Sequence, residues 1–268
     1  MPRFAANLSM LFSEVEFLDR FGAAAAAGFH AVEFAYPYAF SPDEIADRVH
    51  AFNLEVVLFN APPGDHAAGE RGLASLPGRD DEFAASITLA LRYATALDCK
   101  RLHVMAGVLP AEADAAERDN RRRLYIRRLR DACVQAAPRG VTVLIEPLNP
   151  HDAPHYLLST QAQAHAIREE VGAQNLMVQF DLYHAQRGEG ELSEQLQRSL
   201  KHVGHIQIGG VPGRHEPDVG EINYPWLFRL IDDLRYEGWI GCEYRPLHNT
   251  EAGLSWLHRW QAGETKTL

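Results

Sequence analysis

Apolar positions along the chain gather into eight short, β-rich runs separated by longer stretches with helical spacing. The runs are "RFAANLSMLF" (3–12), "AVEFAYPY" (31–38), "LEVVLFNAP" (54–62), "RLHVMAG" (101–107), "TVLIEPLN" (142–149), "LMVQFDLYH" (176–184), "VGHIQIGG" (203–210) and "WIGCEYRP" (239–246). Most are continuously apolar rather than alternating, as strands covered on both faces are. Between them lie helical stretches with start and stop signals in place: "EVEFLDRFGAAAAAG" ending at Gly28, "SPDEIADRVHAF" with Ser41 as N-cap and Pro42 at the first helical position, and "RDDEFAASITLALRYATALD". Further helices are expected within 113–137, at 159–171, 190–203 and 223–238 with Asn223 as N-cap, and after Thr250. Eight βα repeats in 268 residues predict one closed (β/α)8 barrel, a single TIM-barrel domain over 1–268. The rival, an open doubly wound sheet, would need a second domain to use this many units.

One connection breaks the rhythm. The segment 62–82, "PPGDHAAGERGLASLPGRDDE", is rich in Gly, Pro and charge and reads as a lid over the site or as a surface excursion. No apolar run reaches the roughly 20 residues of a bilayer span, and the first residues are interrupted too early for a signal peptide. The formal charge of -10 repels polyanions, so neither nucleic acid nor membrane is an expected partner. The basic run 118–130 reads as a solvated helix face. Three scattered cysteines without CxxC spacing suit packing in a reducing cytoplasm.

The candidate chemistry lies in the second half. Glu146 in "VLIEP", Asp181 in "VQFDLYH", Gln207 in "HIQIGG" and Glu243 in "IGCEYRP" each stand near the C-terminal end of runs five to eight. In a barrel those ends form the mouth, and neighbouring strands are about 4.8 Å apart. Three converging carboxylates repel unless a cation sits among them. An oxygen-only set with a neutral amide favours Mg2+ or Mn2+ over zinc. A rim or helix-capping role is the bland alternative for any one of these acids, and four in consecutive strands argue against it. His184, three residues after Asp181, is placed to orient a substrate oxygen. Arg214 in "PGRHEP" is a candidate anion clamp. His103 and His205 lie inside apolar runs and read as hydrogen-bonded barrel residues. His165, His202 and His258 have no metal spacing.

Taken together, "RFAANLSMLF", "GERGLASLPGR", "LIEPLN", "QFDLYHAQRGEGEL", "GHIQI", "RHEPDVGEINY" and "GWIGCEYRP" resemble the hydroxypyruvate isomerase family. That family belongs to the xylose-isomerase-like TIM barrels and includes 2-oxo-tetronate isomerases. The resemblance spans residues 3 to about 257. It implies a divalent metal held by Glu146, Asp181, Gln207 and Glu243, the two glutamates as the proton-transfer pair, His184 and Arg214 as substrate-positioning residues, and a homo-oligomer. Typical members read GDW, ADNP and EPGTG where this chain reads "GDH" (64–66), "GGVP" (209–212) and "EPDVG" (216–220). All three departures fall in loops and leave the four ligands intact.

The expected reaction is aldose–ketose isomerisation of a small 2-oxo acid, hydroxypyruvate or its four-carbon 2-oxo-tetronate equivalent, through an enediolate. The same inventory serves a metal-dependent ketose 3-epimerase. An apurinic endonuclease would need more histidine ligands and a basic groove. A sugar-acid binding protein is the non-enzyme alternative.

Overall fold

The computed structural model describes residues 1–263. Eight parallel strands close into one barrel in chain order: β1 (Arg3–Asn7), β2 (Ala31–Phe34), β3 (Glu55–Asn60), β4 (Arg101–His103), β5 (Thr142–Ile145), β6 (Leu176–Asp181), β7 (Val203–Ile208) and β8 (Trp239–Cys242). Closure is between β1 and β8, with Arg3 opposite Trp239 and Ala6 opposite Cys242. The outer layer is α1 (Phe17–Ala26), α2 (Pro42–Ala51), α3 (Asp80–Ala96), α4 (Ala115–Ala136), α5 (Gln161–Val171), α6 (Leu182–Gly188), α7 (Leu192–Ser199), α8 (Tyr224–Asp233), α9 (Thr250–Gly253) and α10 (Ser255–Gln261). The TIM barrel expected from the repeat count is the fold observed, and none of the described helices is long and apolar enough to cross a membrane.

Local chemistry explains the boundaries. Ser41 and Glu44 form the reciprocal capping box that starts α2, and the Asn223 side chain accepts from the Trp226 N–H at the start of α8. All eight strands are shorter than their apolar runs, and at two of them a side chain makes the stop. The first run stops at Asn7, whose Oδ1 accepts from the Ser9 N–H and turns the chain. The sixth stops at Asp181, whose Oδ1 accepts from the Tyr183 N–H and caps α6, so "LYH" is helix rather than strand.

Strand alternation sorts the barrel interior into layers. Ala5, Ala31, Leu58 and Leu144 form an apolar floor together with Met177 and Trp239. Two residues further along the same strands stand Asn7, Glu33, Asn60, Glu146, Gln179 and Gly241, so a polar layer lies above the apolar one. The three cysteines are buried and free.

The basic run is not a purely solvated face. Arg128 is 1% exposed, and its Nη1 donates to the carbonyls of Leu73 (2.6 Å) and Leu76 (2.9 Å) while its guanidinium pairs with Asp80. Arg121 donates to the Ser75 carbonyl. Helix α4 therefore holds the 62–79 segment from beneath, and the solvated reading holds only for neighbours such as Arg123 and Arg127.

Candidate active site

Two of the four predicted oxygen donors, Asp181 and Glu243, share one arginine. Asp181 is the last residue of β6, and its Cα partner on β7 is Gln207; Glu146 and Glu243 each lie one residue past the end of their strands. Arg214 Nη2 lies 2.9 Å from Asp181 Oδ2 and 3.2 Å from Glu243 Oε1. Its Nε is 3.3 Å from the Glu243 carbonyl, and its guanidinium carbon sits 4.8 Å from the centroid of the Tyr183 ring. The residue is held with φ of 56°, a left-handed conformation costly for arginine, and its N–H is bonded to the Gly210 carbonyl.

Burial and mutual repulsion dominate the electrostatics. Desolvation raises the Glu146 carboxyl well above the usual range, with Glu243 and Asp181 adding to it. Burial likewise raises Asp181 and Glu243, opposed in both by Arg214. Glu146 Oε1 is buried with no hydrogen-bond partner, and its Oε2 lies 3.5 Å from His103 Nδ1. His103, whose Nδ1 also lies 3.2 Å from Asn60 Oδ1, is kept neutral by burial, its pKa lowered to about 3. As expected, it is a buried barrel residue.

His184 belongs to the same cluster: one ligand-type atom from each of Glu146, Asp181 and His184 lies within 4.8 Å of the others. Its tautomer is set from outside. The Asn149 backbone N–H donates to His184 Nδ1 at 3.1 Å, so the ring proton resides on Nε2, 3.7 Å from Asp181 Oδ2. With its pKa pushed far down by burial, His184 offers an N–H donor rather than a lone pair to the cavity.

Gln207 reaches the same interior, but both ends of its amide are engaged: Nε2 donates to Glu33 Oε1 at 2.8 Å, and Oε1 accepts from Gln179. Glu33 went unnoticed in the sequence. It is fully buried and accepts from Asn7 Nδ2 at 2.8 Å, and its Oε2 lies 2.6 Å from His205 Nε2. A methyl group on Gly241 would stand 2.2 Å from Glu33 Oε2, so only glycine leaves room for this carboxylate. The signal was present in "AVEF", an acid inside an aliphatic run. Glu33, Glu146, Gln207 and Glu243 line one small cavity of about 30 Å³, water-sized.

Comparison with known proteins identifies the family. Residues 21–260 match the xylose isomerase-like TIM barrel family. A 2-oxo-tetronate isomerase of Cupriavidus necator is 57% identical over 96% of this chain and 98% of its own length. A hydroxypyruvate isomerase of Escherichia coli is 43% identical over 96% and 98%. The crystal structure of a protein called AP endonuclease, family 2, from Brucella melitensis superposes with a TM-score of 0.94 at 48% identity, covering 97% of this chain and 99% of that one. A closed eight-stranded barrel, acids at successive strand ends and these relatives converge on one assignment: the chain is an isomerase belonging to the xylose isomerase-like TIM barrel family.

Proposed function

We propose that the chain is a divalent-metal-dependent isomerase of a short 2-oxo acid, with 2-oxo-tetronate or hydroxypyruvate as substrate. The observation that carries this reading is that Glu146 and Glu243, both raised in pKa, line one cavity, with Arg214 joining Glu243 to Asp181. The names of the Cupriavidus and Escherichia relatives support the substrate class.

The donor chemistry fits a hard cation. Glu146 brings an unpartnered buried oxygen, and Asp181 and Glu243 bring carboxylate oxygens that repel one another. Gln207 would join the set through the remaining lone pair of its Oε1, the other accepting from Gln179, while His184, protonated on Nε2, is reserved for the substrate. Bound there, Mg2+ or Mn2+ would polarise the substrate carbonyl and offset developing negative charge.

The chain's own groups account for the proton transfers. One glutamate removes the proton from the hydroxyl-bearing carbon, giving the enediolate, and the other returns a proton to the former carbonyl carbon. A hydroxyl proton moves between the two oxygens in the same exchange, so the product is an isomer with no net proton gained. A carboxyl with raised pKa suits both directions, because it holds the proton after abstraction. His184 Nε2–H donates to a substrate oxygen, and Arg214, fixed on Tyr183, supplies positive charge as negative charge develops.

Hydroxypyruvate and 2-oxo-tetronate supplied side by side with free ketoses test the reading. Isomerisation of either acid supports it, and turnover of free ketoses alone replaces it with a ketose 3-epimerase. The name of the Brucella relative raises a nucleic-acid reading, which the charge of -10 opposes and which cleavage of abasic DNA would establish.

A further inference from the structure

A 2-oxo acid differs from a neutral ketose by its carboxylate, and two arginines near the site, Arg214 and Arg187, are committed elsewhere. Arg214 bridges Asp181 and Glu243, and Arg187 pairs with Asp152 at 3.3 Å while its Nη1 donates to the Tyr183 hydroxyl. A third arginine, Arg71, lies close enough for its charge to act on Tyr36 and Tyr156. Arg71 is exposed and has no carboxylate partner among the described residues.

Its position is built rather than incidental. Arg71 lies between two fixed neighbours in the 62–79 segment. Glu70 is held by Arg79 at 2.9 Å and by the Asp65 N–H at 2.6 Å. Gly72 has φ of 110°, and its N–H donates to the Pro63 carbonyl. A Cβ on Gly72 would stand 2.2 Å from the Met105 carbonyl, so the backbone here is pressed onto the chain just past β4, the strand that carries His103. Met105 Sδ in turn receives the Tyr36 hydroxyl at 2.9 Å. Beyond Gly72, the Ser75 N–H bonds the Ala106 carbonyl, and Arg121 and Arg128 grip the carbonyls of Leu73, Ser75 and Leu76 from α4. The backbone that carries Arg71, a guanidinium without a carboxylate partner among the described residues, is thereby fixed at the rim of the barrel against the chain just past β4.

We propose that Arg71 recognises the carboxylate of the substrate and makes the site select a 2-oxo acid over the neutral sugar that carries a hydroxymethyl group in its place. The inference rests on the reading of the site as a 2-oxo acid isomerase. A planar fork of N–H donors matches a carboxylate in two-point geometry, which an ammonium does not reproduce. The 62–79 segment then acts as the platform of a recognition group.

The test compares the full-length protein with Arg71→Met and Arg71→Lys on hydroxypyruvate and on dihydroxyacetone, its neutral counterpart. Expected for Arg71→Met is a rise in KM for hydroxypyruvate of about 10- to 100-fold, the range for losing one charged hydrogen-bonded contact, with kcat nearly kept. Dihydroxyacetone turnover is unchanged, and Arg71→Lys falls between. An unchanged acid-to-neutral ratio in Arg71→Met overturns the role of Arg71 while leaving the isomerase reading standing, because the parent protein still turns over the acid. If the parent isomerises neither hydroxypyruvate nor 2-oxo-tetronate, the isomerase reading fails, and titration calorimetry with tartronate decides the rest. A tenfold weaker affinity in Arg71→Met then keeps Arg71 as a carboxylate anchor, and equal affinity overturns it.

Discussion

The guanidinium of Arg214 lies 2.9 Å from Asp181 Oδ2, and the same nitrogen reaches Glu243 at 3.2 Å. One fixed positive group thus touches acids from β6 and from the end of β8, while Glu146 remains unpartnered at Oε1. Charge at this mouth is balanced by position, and the balance makes the site testable one group at a time.

Replacing either glutamate by glutamine keeps size and hydrogen bonding but removes the titratable proton. Glu146→Gln and Glu243→Gln are each expected to lower kcat by about 10^2- to 10^4-fold, with the urea unfolding midpoint at or above that of the parent protein. Relief of repulsion between buried acids favours the folded state, so activity and stability move in opposite directions. Full activity in either variant would remove it from the proton-transfer pair.

Removal of divalent cation is expected to abolish turnover, and Mg2+ or Mn2+ to restore it. Titration calorimetry on chelated protein gives a second readout: Asp181→Asn weakens metal affinity, whereas a variant of His184, which holds its proton on Nε2, changes KM more than metal affinity. Equal loss of metal affinity in both would place His184 among the ligands.

Arg128→Met leaves the carbonyls of Leu73 and Leu76 without their donor and Asp80 without its buried partner. A loss of about 2–4 kcal/mol is expected from the unsatisfied carbonyls, measured by urea unfolding. Proteolytic nicking between residues 62 and 79 should rise as well. An unchanged midpoint and unchanged cleavage would show that α4 does not hold the segment.

His165 supplies a pH dependence remote from the site. Burial, with Arg168, His202 and Arg198 nearby, lowers its pKa to about 4, and its Nε2 has no partner. The unfolded chain takes up its proton near 6.5, so between about 4 and 6.5 the unfolded state binds more protons and stability falls as pH drops. His165→Gln should lose less stability than the parent between pH 7 and pH 5 in urea melts. Parallel losses would assign the acid sensitivity to other groups.

Architecture and donor set differ in how far they could be read from the chain. Eight apolar runs with capped helices between them are local information, and Ser41 and Asn223 act as the caps their positions indicate. The acids at strand ends were legible because each interrupts an aliphatic run. The start of α6 was not, since "DLYH" continues the apolar pattern and only the Asp181–Tyr183 bond reveals the turn into helix. Burial of Arg128 depends on carbonyls more than 50 residues away, and Glu33 finds Asn7, His205 and Gln207 only once strands β1, β2 and β7 share one interior. Such partnerships are properties of closure, not of local spelling.

Asp181 has two attachments: one oxygen holds Arg214, and the other starts the helix on which His184 rides. Acid, imidazole and helix origin consequently travel as one joint, and moving any of them unsettles the others. Retuning this protein toward a longer or shorter acid is therefore a matter for the rim segments, leaving that joint alone.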